Sequence, residues 1–333
     1  MDLCNRRALK EAARHSLANA RCDPRKIILV YTGASVAVSL IATVINYLFG
    51  LQIENTGGLG GLSTRSMLST AQSVLQLLVA ITLPFWNNGY RFATMNMARE
   101  KEAAPSTLLE GFRRFGPLLR CMLLLGLIYA GVGIVCFFFS SQIFMMSPLS
   151  DPLFEIAESL PLNSGSSLLG GTVTLDAATQ AAIIDAFLPM VLIMMVVFLA
   201  GVLLVSYNYR MANYLILDHP GMGALAALRG SRNQMRGNKA ALFRLDLSFL
   251  WFYVLQILAS LLAYGDYLMA IFGVPFPASQ GVVFFFFLIL SLVCQGGLYI
   301  WAKNRVDVTY AKFYDLTILP VPQKRAYASR DIL

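Results

Sequence analysis

Few residues in this sequence have a type and spacing that could do chemistry. The two histidines, His15 and His219, have no Ser, Cys or carboxylate placed as in a nucleophile arrangement. Asp218-His219 leads into Pro220-Gly221, where an aspartate is expected to bond the backbone of its own turn. The glycine cluster from Gly57 to Gly61 has no following Lys-Ser/Thr pair and no flanking strand-helix unit, so it reads as an outer loop and not a phosphate cradle. Cys4, Cys22, Cys121, Cys136 and Cys294 lack metal-ligand spacing, and the last three lie in apolar runs, where a thiol behaves as a small hydrophobe. The residues thus point away from an enzyme and imply no cofactor and no metal.

Cations and amides remain. Arg229, Arg232 and Arg236 recur at i, i+3 and i+7 beside an apolar stripe of Ala224, Leu228 and Met235, on a short helix expected to have Pro220 or Gly221 near its first turn. With Arg113 and Arg114 they are candidate contacts for anionic lipid headgroups, each cation contributing about 1 kcal/mol near such a surface. The same cations would also be required for topology alone. Asn87, Asn88 and Gln295, with Asn46, Gln76 and Gln256, either line a path for a neutral or zwitterionic solute or hydrogen-bond between helices. A relay through carboxylates is not expected, because Asp185 and Asp266 fall at outer span ends and Arg120, Arg244 and Asp246 at inner ones.

The elements that must position these groups are membrane spans. With 57% hydrophobic residues, 13% charged residues and a mean hydropathy of +0.63, the chain is too apolar for a soluble domain of its size. A net charge of +8 and a pI near 9.3 would suggest nucleic acid as partner of a soluble protein; here topology explains the charge, and no nucleic acid is expected. Six apolar runs are long enough to cross a bilayer, at about 27–51, 74–96, 118–144, 182–209, 242–264 and 281–302. Pro84 should kink the second. A long polar loop with a short amphipathic piece near 153–160 separates the third from the fourth, and the last helix is expected to continue into water through 303–316.

Of the 26 Lys and Arg, all but Arg65 fall before the first span, between spans two and three, between four and five, or after six. Cations flanking short loops are kept in the cytoplasm, so both termini are expected there. The two inner crossings share a layout: Tyr90-Arg91 matches Tyr209-Arg210, Gly111 matches Gly230, and Arg113 matches Arg232. The segment RRALKEAARHSL, with Leu9, Ala12, Ala13 and Leu17 on one face, has the same basic amphipathic character. The economical reading is three repeated helix-hairpin units.

At Asp218-His219-Pro220-Gly221, Ala224-Leu225, Ser231, Met235, Gly237-Asn238-Lys239, Phe243, Leu245, Leu247-Ser248-Phe249 and Trp251 the chain resembles DUF975, a family of bacterial integral membrane proteins of unknown function. Ala311, Phe313 and Tyr314 match an A-x-F-Y ending of that family. The resemblance implies a multi-pass bacterial membrane protein without an established activity. The expectation is therefore an all-α polytopic protein: a basic cytoplasmic segment at 1–26, a six-span domain at 27–302 with basic amphipathic interfacial helices, and a cytoplasmic tail at 303–333, in the bacterial inner membrane. Its expected role is non-catalytic, in organising or sensing the bilayer or binding a partner there. The alternative is a solute or peptide transporter. The bilayer and its anionic headgroups are the expected partners; a protein partner or a second copy is left open.

Overall fold

The computed structural model describes residues 5–55, 61–159, 177–265, 269 and 280–318, which among themselves form helices and no strand. In chain order these are α1 (Arg6–Ala18), α2 (Pro24–Asn55), α3 (Gly61–Ala98), α4 (Glu110–Arg113), α5 (Phe115–Met145), α6 (Asp151–Ser159), α7 (Ala177–Tyr209), α8 (Ala212–Asp218), α9 (Ala224–Gln234), α10 (Lys239–Ser248), α11 (Leu250–Leu261), α12 (Gln280–Leu298) and α13 (Asn304–Ile318). A π-helical turn, Tyr299–Lys303, joins α12 to α13. The expected outer loops around 56–60 and 160–176, the connection around 270–279 and the tail after 318 lie outside the described residues, apart from the amphipathic piece, which is α6.

Five helices are long and apolar enough to cross a membrane: Pro24–Gln52, Thr64–Ala98, Phe115–Met145, Ala181–Asp218 and Gly281–Ile318. Along α5 and α7, side chains such as Leu127, Val135, Phe138, Val196 and Leu204 stand exposed, which only a lipid solvent tolerates over so many residues. The chain reads as membrane-spanning.

The expected fifth span, 242–264, is not one helix. Lys239–Ser248 and Leu250–Tyr264 meet at 58°, and only as a bent pair do they add a sixth span. The break has local causes and one distant in sequence. Ser248 Oγ turns back to the Leu245 carbonyl, the Phe249 N–H bonds the Asp246 carbonyl, and the Phe249 ring is buried under the Lys10 ammonium, 4.1 Å from its centroid. α10 is thereby held against α1, and α11 leaves in a new direction.

The second span begins earlier than expected. α3 starts at Gly61, where the hydroxyls of Ser69, Thr70 and Ser73 bond carbonyls one turn back and satisfy themselves within the helix. It stays helical through Pro84. α9 starts at Ala224, later than expected, because Pro220 and Gly221 belong to a separate turn closed by the Met222 N–H on the His219 carbonyl. Gly221 has φ +94° there, a conformation that suits glycine at the third position of such a turn.

The helices fall into two compact units, Met1–Cys121 with Met211–Leu333, and Met122–Arg210. In the second unit, α5 and α7 approach closely at Gly201, where a Cβ would meet Cys136 Sγ and Val132 Cγ1 at 2.9 and 3.0 Å. In the first unit, α1 lies on α13 and α3 with Leu9, Ala13 and Ser16 buried, so its apolar face is covered by protein. α3 crosses the Pro105–Leu109 turn and α4 with no room for side chains: a Cβ on Gly89 would overlap the Leu108 carbonyl, and one on Gly111 the Phe85 carbonyl.

Candidate functional site

The cations of the first unit fall into two sets, and the difference is set by what stands opposite each. Arg99, at the end of α3, is 24% exposed and makes two-pronged contact with Asp218 at the end of α8, Nη1 to Oδ1 at 2.5 Å and Nη2 to Oδ2 at 2.9 Å. Its Nε and Nη2 also donate to Asp315 of α13, at 3.0 and 2.6 Å. The Tyr314 hydroxyl donates to Asp218 at 3.2 Å. The hydrogen bonds it donates to Asp218 raise the Arg99 guanidinium further above its already high range, against burial, and it stays a cation. The planar fork of arginine can serve two carboxylates at once, which ties three helix ends together.

Asp218 therefore differs from the expectation that it would bond its own turn. Its carboxylate points at Arg99 and Tyr314, while His219 is half-exposed with Nδ1 4.0 Å from it. Nothing in this group resembles a nucleophile with its base.

A second ion pair sits where α12 passes into α13. The Lys303 side chain is 14% exposed, lies 3.0 Å from Asp307 one turn on, and is surrounded by the rings of Tyr31, Tyr90 and Tyr299 with centroids 5.4, 5.1 and 5.1 Å away. Next to it, the buried Tyr90 hydroxyl donates to Asn304 Oδ1 at 2.6 Å, and Asn304 Nδ2 donates to the Pro24 carbonyl at 2.9 Å. The π turn inserts one extra residue per turn at this point, so Lys303 faces the tyrosines while Trp301 stands outward, 61% exposed.

The expected headgroup contacts are distributed as follows. Arg229 and Arg232 are exposed on α9, whereas Arg236 is exposed in the turn that follows it, so the helix stops short of the third expected arginine; Ala224, Leu228 and Met235 are buried. Among the described residues no carboxylate lies within ion-pair distance of these three. Arg113 is 74% exposed and paired with Glu110 at 2.6 Å. Arg114 is held inward: it donates to the Ile216 carbonyl at 3.1 Å and to that of Leu217, at the end of α8, and covers the Phe92 ring at 5.1 Å.

The three amides do not share a site. Asn87 accepts from the Tyr31 hydroxyl at 3.4 Å, Asn88 is buried and accepts from Arg91 at 3.4 Å, and Gln295 donates to Ser291, whose own hydroxyl bonds the Ala259 carbonyl of α11. Gln256 donates to the Tyr299 hydroxyl at 2.9 Å. These are contacts within and between helices. Among the described residues there is no group of three His, Cys, Asp or Glu side chains that could hold a metal.

Arg99, Asp315 and Lys303 are anchors that the sequence expectations do not include. The i, i+4 spacing of Lys303 and Asp307 is the one local signal among them. Arg99 and its partners are 119 and 216 residues apart, and no local pattern marks them.

One protein-family model, described as a protein of unknown function (DUF975), matches residues 1–317, nearly the whole chain. No curated protein and no solved structure matches it.

Proposed function

We propose, from the fact that the chain belongs to the DUF975 family and from the geometry above, that it is a non-catalytic component of the bacterial cytoplasmic membrane whose basic face engages anionic lipid headgroups. In this reading it spans the bilayer six times, the bent α10–α11 pair supplying one crossing, and keeps both termini in the cytoplasm. Its role is to organise or sense the bilayer, or to dock a partner at that face. The supporting observation is the sorting of cations. Those that hold helices together have partners inside the protein, carboxylates for Arg99 and Lys303 and backbone carbonyls for Arg114 and Lys10, whereas Arg229, Arg232 and Arg236 stand exposed without a carboxylate among the described residues. Exposed cations at a membrane edge with no internal partner are arranged for anions outside the protein.

Solute or peptide transport is the weaker alternative, because Asn87, Asn88 and Gln295 already have hydrogen-bond partners in separate places. The repeat has this support: α4 folds back on α3 and α9 on α8, each carrying one of the matched glycines. The test is lipid enrichment around reconstituted protein, read with spin-labelled phosphatidylglycerol against phosphatidylcholine. Replacing Arg229, Arg232 and Arg236 together by Gln should remove most of the preference; an unchanged preference defeats the reading. Reporters at Ser164 and Asn233 that respond in the same compartment would defeat the topology.

A further inference from the structure

α1, the π turn, the start of α13 and the start of α11 enclose an open cavity of about 170 Å³, lined by none of Arg229, Arg232 and Arg236. Its floor and walls are mostly apolar, with Phe249, Trp251 and Trp301 the largest side chains, and three cations lie on its lining: Lys10, Arg14 and Arg305. Among the described residues no carboxylate lines it. Asp307 is engaged by Lys303 and Asp246 by the Tyr310 hydroxyl at 2.5 Å, while Glu11 of α1 is exposed and is not part of the lining. Lys10 donates one hydrogen to the Ser248 carbonyl at 3.2 Å and sits over Phe249, which fixes its position and leaves further N–H groups for a guest. Burial, then the neighbouring charges of Arg6 and Arg14, pulls the Lys10 ammonium below its usual range.

Trp251 and Trp301 meet edge to face, with centroids 5.3 Å apart, and are 42% and 61% exposed. Indoles left open beside exposed Leu250, Val254 and Ile300 mark the height at which headgroups give way to acyl chains. The cavity thus brings cations and an apolar wall together, the two kinds of surface that a phospholipid needs.

We infer that Lys10, Arg14 and Arg305, backed by Trp251 and Trp301, form a discrete binding site for one anionic phospholipid of the inner leaflet, its phosphodiester among the three cations and its acyl chains along the indoles. The inference rests on the lipid-facing reading above and adds a saturable, stoichiometric site to a diffuse basic surface. The occupant is a lipid and not free phosphate, because the larger part of the lining is apolar and continuous with the exposed face of α11.

The chain has three tryptophans, so a Trp86→Phe background leaves only the two at the cavity. In nanodiscs of phosphatidylcholine, titration with acyl-brominated phosphatidylglycerol should quench these indoles with a half-point about tenfold lower in mole fraction than brominated phosphatidylcholine requires. Arg14→Gln with Arg305→Gln should bring the two half-points together, and Arg14→Lys with Arg305→Lys should keep them apart, which separates lost charge from lost folding. Equal half-points in the parent, or a preference that survives the double Gln variant, would overturn the site. Displacement of the lipid by millimolar inorganic phosphate would assign it to a free anion and overturn the lipid assignment. Failure of the general reading looks different: there the graded spin-label enrichment fails to respond to the Arg229, Arg232 and Arg236 substitutions, whatever the quenching shows.

Discussion

Arg99 and the Arg229–Arg232–Arg236 row lie in the same unit and carry the same side chain, yet they occupy opposite electrostatic situations. Arg99 is three-quarters buried and faces two carboxylates from α8 and α13. The row on α9 and the turn after it is exposed and faces no acid among the described residues. A count of cations along the chain scores both as evidence for orientation. Only the partners separate a charge that holds helices from one available to a ligand, and the two should respond oppositely when removed.

The sharpest way to break this contrast is Arg99→Leu. It strands Asp218 and Asp315 at a part-buried junction, and loss of one partner from such a pair costs about 3 kcal/mol or more. We expect a clear fall in the unfolding midpoint in detergent, with Arg99→Lys recovering only part of it because an ammonium cannot reproduce the fork. A midpoint unchanged by Arg99→Leu would place Arg99 with the α9 row. Asp307→Asn should follow at about 2 kcal/mol, since Lys303 keeps its three tyrosine rings while losing the carboxylate 3.0 Å from its ammonium. The same unfolding assay reads it, and no loss would mean that the aromatic rings alone suffice.

The matched glycines sharpen the contrast further. Gly111→Ala would drive a methyl into the Phe85 carbonyl, a backbone atom that cannot swing aside, and overpacking of this kind costs about 1–3 kcal/mol. Gly230→Ala would meet only the Leu215 Cδ1 at 3.1 Å, the tip of a side chain that can rotate, and should cost under about 1 kcal/mol. Equal losses at the two positions would mean that both helices pack backbone to backbone.

How much of this was legible in the sequence follows from the range of each interaction. Apolar length marks α2, α3, α5, α7 and α12, and basic amphipathic spacing marks α1 and α9, although α9 ends before Arg236, because these patterns repeat within a few turns. The break at Phe249 was not legible: residues 242–264 are apolar enough for a span, and the bend depends on Lys10, more than two hundred residues earlier. Asp218 misled for a related reason. Before Pro-Gly an aspartate has a local use, and nothing nearby reveals that a distant guanidinium competes for it. Lys10, Arg14 and Arg305 belong to the same class, since their convergence exists only once α1 lies on α13.

The smallest expected effect on stability is the one that tests the other half of the comparison. Replacing Arg229, Arg232 and Arg236 by Gln removes three exposed charges and leaves the buried stripe of Ala224, Leu228 and Met235 in place, so the unfolding midpoint should move by no more than about 0.5 kcal/mol. The substitution should even be slightly favourable in neutral detergent, because three cations within two turns repel one another at low salt. In bilayers containing phosphatidylglycerol the sign should reverse, since the wild-type row then gains counter-charges that the variant cannot use. Measuring the same variant in both media therefore separates the two roles: a loss of equal size in each would make the row structural like Arg99, whereas a loss confined to the anionic bilayer leaves it a surface built for lipid.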